Sequence, residues 1–126
     1  MILVFGGSYQ GKLDYALERF SFKDSDVYRC DEDTSDMPEG FPIVYELDKW
    51  ILALVKAQSD TSEAVRSFIK SNEAAVVIAN DISGGVVPMD STLRVWREAV
   101  GRSLAEIAKA SDEVIRVFCG IPTRIK

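Results

Sequence analysis

The sequence predicts an α/β fold, a three-layer sandwich around a mostly parallel sheet. Two observations carry this. Short apolar runs alternate with helix-period segments through all 126 residues. The opening run is apolar without interruption, as a strand covered on both faces must be. Strands separated by helices pair in parallel through right-handed crossovers. The length is that of one domain over residues 1–126, enough to bury a core without covalent staples.

In chain order, residues 2–5 (Ile-Leu-Val-Phe) are the first strand. Residues 12–20 read as a helix with Leu13, Ala16, Leu17 and Phe20 on one stripe. Residues 27–30 make a short strand. Residues 31–42, polar and holding two prolines and a glycine, make a loop. Residues 42–45 are a third strand, and 46–56 a helix carrying Leu47, Trp50, Ile51, Leu54 and Val55 on its inner face. A helix over 62–71 buries Val65, Phe68 and Ile69, and 74–79 is the most apolar later strand. A glycine-rich loop over 80–90 precedes a long helix, 91–110, with Leu93, Trp96, Val100, Leu104 and Ile107 facing inward. Residues 114–118 are a strand, and a last short strand lies near 124–125.

Composition removes several function classes. The formal charge is −5, with no basic cluster, so neither a nucleic-acid backbone nor an anionic membrane is an expected partner. No apolar stretch is long enough to span a bilayer. The opening residues lack a basic n-region and read as a strand rather than a signal peptide. Cys30 and Cys119 form no CxxC pair and read as reduced core or strand-end thiols of a cytoplasmic protein. With two thiols and no histidine, zinc is not expected. The lack of imidazole also leaves any chemistry to carboxylates, lysines, hydroxyls, amides and a metal.

Gly6-Gly7-Ser8-Tyr9-Gln10-Gly11-Lys12-Leu13 follows the first strand and opens the first helix. In that context the glycines let backbone amides converge, the helix N-terminus adds partial positive charge, and Lys12 reaches the β- and γ-phosphates of a nucleotide. The plain alternative is a tight turn that needs glycine and carries a lysine. The pattern asks for Ser or Thr after the lysine, whose hydroxyl ligates Mg²⁺; Leu13 cannot do so, and completes the apolar stripe instead. Ligands of open parallel sheets sit at the carboxyl ends of strands. Acids fall there as Asp31, as Glu46 and Asp48, and as Asp81 after Asn80. Lys12, Glu46 and Asp81 are the catalytic candidates, and Glu46 and Asp48 the candidate Mg²⁺ contacts. Each acid could equally cap a helix or solvate a loop, and the turn 31–33 reads as solvated.

The stretch Asn80-Asp81-Ile82-Ser83-Gly84-Gly85-Val86-Val87-Pro88, the helix with Arg97 and Gly101-Arg102, Asp112-Glu113-Val114, and the ending Gly120-Ile121-Pro122-Thr123-Arg124-Ile125-Lys126 resemble one family. It is the adenosylcobinamide kinase / adenosylcobinamide-phosphate guanylyltransferase family of cobalamin biosynthesis, and this chain looks like a shortened member. The likeness covers residues 1–20 and about 74–126 and, less closely, Tyr45-Glu46 before the Trp50 helix. It implies a P-loop fold, ATP or GTP at Gly6–Leu13, Mg²⁺ accompanying the nucleotide, a corrinoid alcohol or its phosphate as second substrate, and a homo-oligomer. The sequence departs from the family at Leu13, Asp81, Ser83 and Leu104. It is also short between the second and third strands, where members carry the histidine that becomes guanylylated. Guanylyl transfer through histidine is therefore absent. A kinase acting on a cobinamide-like alcohol, a non-catalytic nucleotide-binding or regulatory relative, and a structural partner remain as readings.

Overall fold

The computed structural model describes residues 1–82 and 90–126. Its strands are β1 (Ile2–Gly6), β2 (Val27–Arg29), β3 (Ile43–Tyr45), β4 (Val76–Asn80), β5 (Glu113–Phe118) and β6 (Ile121–Arg124). Its α-helices are α1 (Lys12–Phe20), α2 (Leu47–Lys56), α3 (Thr61–Ser71) and α4 (Ser91–Ala110). The sheet runs β2-β3-β4-β1-β5-β6, parallel except for the β5–β6 hairpin. This is the expected three-layer α/β architecture.

The central strands are apolar on both faces because both are covered. Leu3 and its partner Val77 face one layer, while Val4 and Ile78 face the other. On one side α1 lays Leu13, Ala16, Leu17 and Phe20 over Val4, Ile43, Ile78 and Ile115. On the other, α2, α3 and α4 pack Trp50, Phe68, Val100 and Ile107 with Leu3, Val44 and Val77. Trp50 and Phe68 meet with ring centroids 5.4 Å apart, a separation at which tilted aromatic rings attract.

The crossovers create the crevice. The chain leaving β1 passes over β4 and β3 to reach β2, whereas the chain leaving β4 passes β1 to reach β5. Opposite departures open a gap at the carboxyl ends of these neighbouring strands. The loop after Gly6 stands there, with Asp81 beside it: the Asp81 amide donates to the Gly6 carbonyl at 2.8 Å.

Several expectations need correction. The 46–56 helix begins at Leu47, because Glu46 adopts a left-handed conformation (φ 59°). The strand placed at 74–79 starts at Val76, since the Ala75 amide closes a turn onto the Asn72 carbonyl, and it runs on to Asn80. The last strand comes earlier, at Ile121–Arg124, after a turn with Cys119 and Gly120 at φ 51° and 75°. Leu93 is exposed rather than inward, and α4 first becomes buried at Ala99 and Val100. Residues 24–26 form a 3-10 turn that the sequence did not signal. Most of the glycine-rich segment 80–90, including Ser83, lies outside the described residues. Among the described residues, no helix is long and apolar enough to cross a membrane.

Candidate phosphate-binding loop

β1 ends where a side chain cannot fit. A Cβ on Gly6 would collide with the Val117 carbonyl oxygen of the neighbouring strand. The chain then turns through two left-handed residues, Tyr9 (φ 58°) and Gly11 (φ 84°), and enters α1 at Lys12. Left-handed residues alternating with ordinary ones turn successive amides to the same side and make an anion-binding concavity. No side chain caps α1, so the helix start keeps the unsatisfied amides and partial positive charge that favour an anion. The Tyr9 ring is fully exposed and does not fill the loop. Gln10 anchors the loop to the β5–β6 turn. Its side-chain oxygen accepts from the Cys119 amide at 2.5 Å, and its carbonyl from the Gly120 amide at 3.0 Å.

Lys12 is buried, 5% exposed, and its Nζ donates to the Gly7 carbonyl at 2.5 Å. Burial lowers its pKa, and the negative charges of Asp48 and Glu46 oppose that shift. Asp48 is also buried. Its Oδ1 accepts from the Asn80 amide at 2.9 Å and its Oδ2 from the Asn80 side chain at 3.3 Å. Its backbone carbonyl accepts from Trp96 Nε1 at 2.7 Å. Burial raises the Asp48 pKa despite the hydrogen bonds from Asn80. One residue therefore ties α2 to the end of β4 and to α4, and places a carboxylate near Lys12. Glu46 has its carboxylate 2.6 Å from Lys49 Nζ.

A concavity of about 520 Å³ is lined by Ser8, Tyr9, Gln10, Gly11, Lys12, Leu13, Asp14, Tyr45, Glu46 and Lys49. Of the residues singled out from sequence, Lys12, Glu46 and the loop itself share this space. Gly6 and Gly7 support it from the end of β1. Asp48 stands behind, with its carboxylate held by Asn80. Asp81 is exposed at the end of β4 and Asp31 lies elsewhere, accepting from the amides of Asp33 and Thr34 at 2.8 Å. The bonds from the Asp33 amide first, and then from the Thr34 hydroxyl, hold the Asp31 carboxyl below the usual range, as befits a turn cap. Lys49 was not singled out, and Gln10 was named only as a loop member, not as its anchor. Lys49 could have been found as the (i, i+3) partner of Glu46 on a helix; the Gln10 contact spans 109 positions and has no local signature.

Each candidate metal contact already has a partner or lacks an oxygen. Leu13 offers no oxygen, the Asp48 carboxylate is engaged, and Glu46 is paired with Lys49. Among the described residues no group of three His, Cys, Asp or Glu side chains is arranged to hold an ion.

The family model for cobinamide kinase / cobinamide phosphate guanyltransferase matches residues 42–125. The chain belongs to that family. The matched stretch runs from the start of β3 through β6 and so contains Glu46, Asp48, Lys49 and Asp81, while the candidate loop Gly6–Leu13 precedes it. No curated protein matches the chain. Family membership and the mostly parallel sheet agree with a P-loop-type fold; the reading of Gly6–Leu13 rests on its own geometry.

Proposed function

We propose that Gly6–Leu13 binds the phosphate chain of ATP or GTP, in a member of the cobinamide kinase family whose histidine-dependent guanylyl transfer is gone. The observation that carries this reading is the uncapped start of α1 behind two left-handed loop residues, with a buried lysine beside it. Non-glycine left-handed residues cost on the order of 1–3 kcal/mol each and gather at ligand sites. Of the five such residues among those described, Tyr9 and Glu46 border the concavity, while Ser21, Gln58 and Cys119 stand in turns outside its lining.

In the kinase form of the reading, a corrinoid alcohol enters beside Glu46. The Glu46 carboxylate takes the hydroxyl proton as the oxygen attacks the γ-phosphorus, with Asp81 the second candidate for that role. The bond to the β–γ bridging oxygen breaks, the nucleoside diphosphate leaves, and Lys12 stabilises charge gathering on the phosphoryl oxygens. Lys12 must first exchange the Gly7 carbonyl for phosphate. Leu13 favours a second form, a nucleotide-binding relative without turnover, because the metal-positioning hydroxyl is lost. A cytoplasmic homo-oligomer in cobalamin biosynthesis completes the proposal by family membership.

The test is ATP and GTP binding with and without Mg²⁺, followed by turnover with cobinamide. Binding should change little with Mg²⁺, and Leu13→Ser should make it Mg²⁺-dependent. Leu13 is half-buried, so the stability cost should fall below the ~2–5 kcal/mol of truncating a fully buried leucine. Turnover with strong Mg²⁺ dependence in the unaltered protein would reject the non-catalytic form.

A further inference from the structure

We propose that Lys49 is a second phosphate-binding lysine, held in reserve by Glu46, and that it supplies the positive charge that the loop cannot obtain through Leu13. The proposal rests on the phosphate reading of the loop and extends it to the opposite wall of the concavity. Lys12 and Lys49 line the same space. Lys12 is buried, whereas the Lys49 side chain is 45% exposed on the first turn of α2. Its only ion pair among the described residues is with Glu46, itself at the mouth of the concavity.

Electrostatics makes Lys49 the residue that must move. Glu46, Asp48 and Asp14 place more negative than positive charge around Lys12 and Lys49. A triphosphate entering this field needs a cation that can approach it. A magnesium ion would serve, yet the residue after Lys12 is apolar and the Glu46 and Asp48 carboxylates are engaged. Exposed ion pairs are weak, and the lysine stem is long with a freely turning ammonium. Phosphate oxygens, carrying more charge than one carboxylate, can therefore draw Lys49 from Glu46. The exchange leaves Glu46 with an unpaired carboxylate beside the bound phosphate, where the proposed reaction needs a proton acceptor.

The experiment is calorimetric titration with inorganic tripolyphosphate in EDTA, so that neither base nor metal contributes. Lys49→Gln should weaken binding about tenfold, the loss of one charge-assisted contact. Lys56→Gln, the same charge change at the far end of α2, should stay within twofold. Glu46→Gln should tighten binding severalfold, and most of that gain should vanish when Lys49→Gln is also present, because the gain acts through the released lysine. Equal gains in both backgrounds, or a Lys49→Gln effect no larger than that of Lys56→Gln, overturns the role of Lys49 while leaving the loop reading intact. If the unaltered protein shows no tripolyphosphate binding that Lys12→Ala weakens, the loop reading falls and the Lys49 proposal with it. Circular dichroism and melting of each variant identify any that fail to fold.

Discussion

Individual side chains near the loop are held in costly states. Cys30 is buried, and burial first, then the charges of Asp48, Asp31 and Glu46, push its thiol up from 9.0 to about 12. The folded chain therefore keeps its proton at pH values where the unfolded chain has released it. That contribution to stability is fully present below about pH 9 and is lost as pH rises towards 12, at roughly 1.4 kcal/mol per unit. By pH 10.5 the protein should have lost about 2 kcal/mol from this source. Urea unfolding of the protein and of Cys30→Ala across pH 8–10.5 measures it. The variant should start less stable, from lost packing, and fall less steeply; parallel curves would show that Cys30 titrates alike in both states. Cys119, by contrast, is exposed in its turn, though the sequence marks both alike as core or strand-end thiols. What separates them is the cover around each, which no local pattern reveals.

At the level of elements, Asp48 joins three pieces of the molecule. It stands in the first turn of α2, holds the end of β4 through Asn80, and receives the Trp96 indole from α4. Asp48→Ala leaves the Asn80 amide without its acceptor and should cost about 1–3 kcal/mol. Asp48→Asn keeps an acceptor and should cost less. Denaturant midpoints at unchanged slope report the difference; an equal loss in both variants would assign the role to the charge instead of the hydrogen bond. Elements with strong periodicity were legible beforehand. The helices at 12–20 and 91–110 occur with the expected bounds, because an apolar stripe runs along each and a glycine (Gly11) or an acid cap (Asp90) marks where each begins. Leu93 shows where that signal stops. Periodicity gives the inner face of a helix, but not how far along its length other elements cover it. Asp48, a candidate metal contact by its place after a strand, also accepts from the amide of Asn80, 32 positions away, a bond with no local pattern to announce it.

Across the whole molecule, the sheet order explains why the loop, Glu46 and Lys49 meet. β1 and β3 end at the same edge of the sheet, with β4 between them. The loop leaving β1 and the first turn of α2 leaving β3 therefore form opposite walls of one concavity. The alternation of strands and helices points to this edge as the expected ligand site, and the loop pattern to phosphate as the expected ligand. The Gln10 anchor was not readable, because it depends on how segments 109 positions apart dock, whereas the Lys49–Glu46 pair is local and follows from (i, i+3) spacing. The most direct measurement of the central claim is a backbone amide NMR titration with inorganic tripolyphosphate. The account predicts saturable shifts centred on the amides of Gly7–Lys12, strongly reduced in Lys12→Ala. Saturable shifts confined to another surface, or none at millimolar ligand, would contradict it.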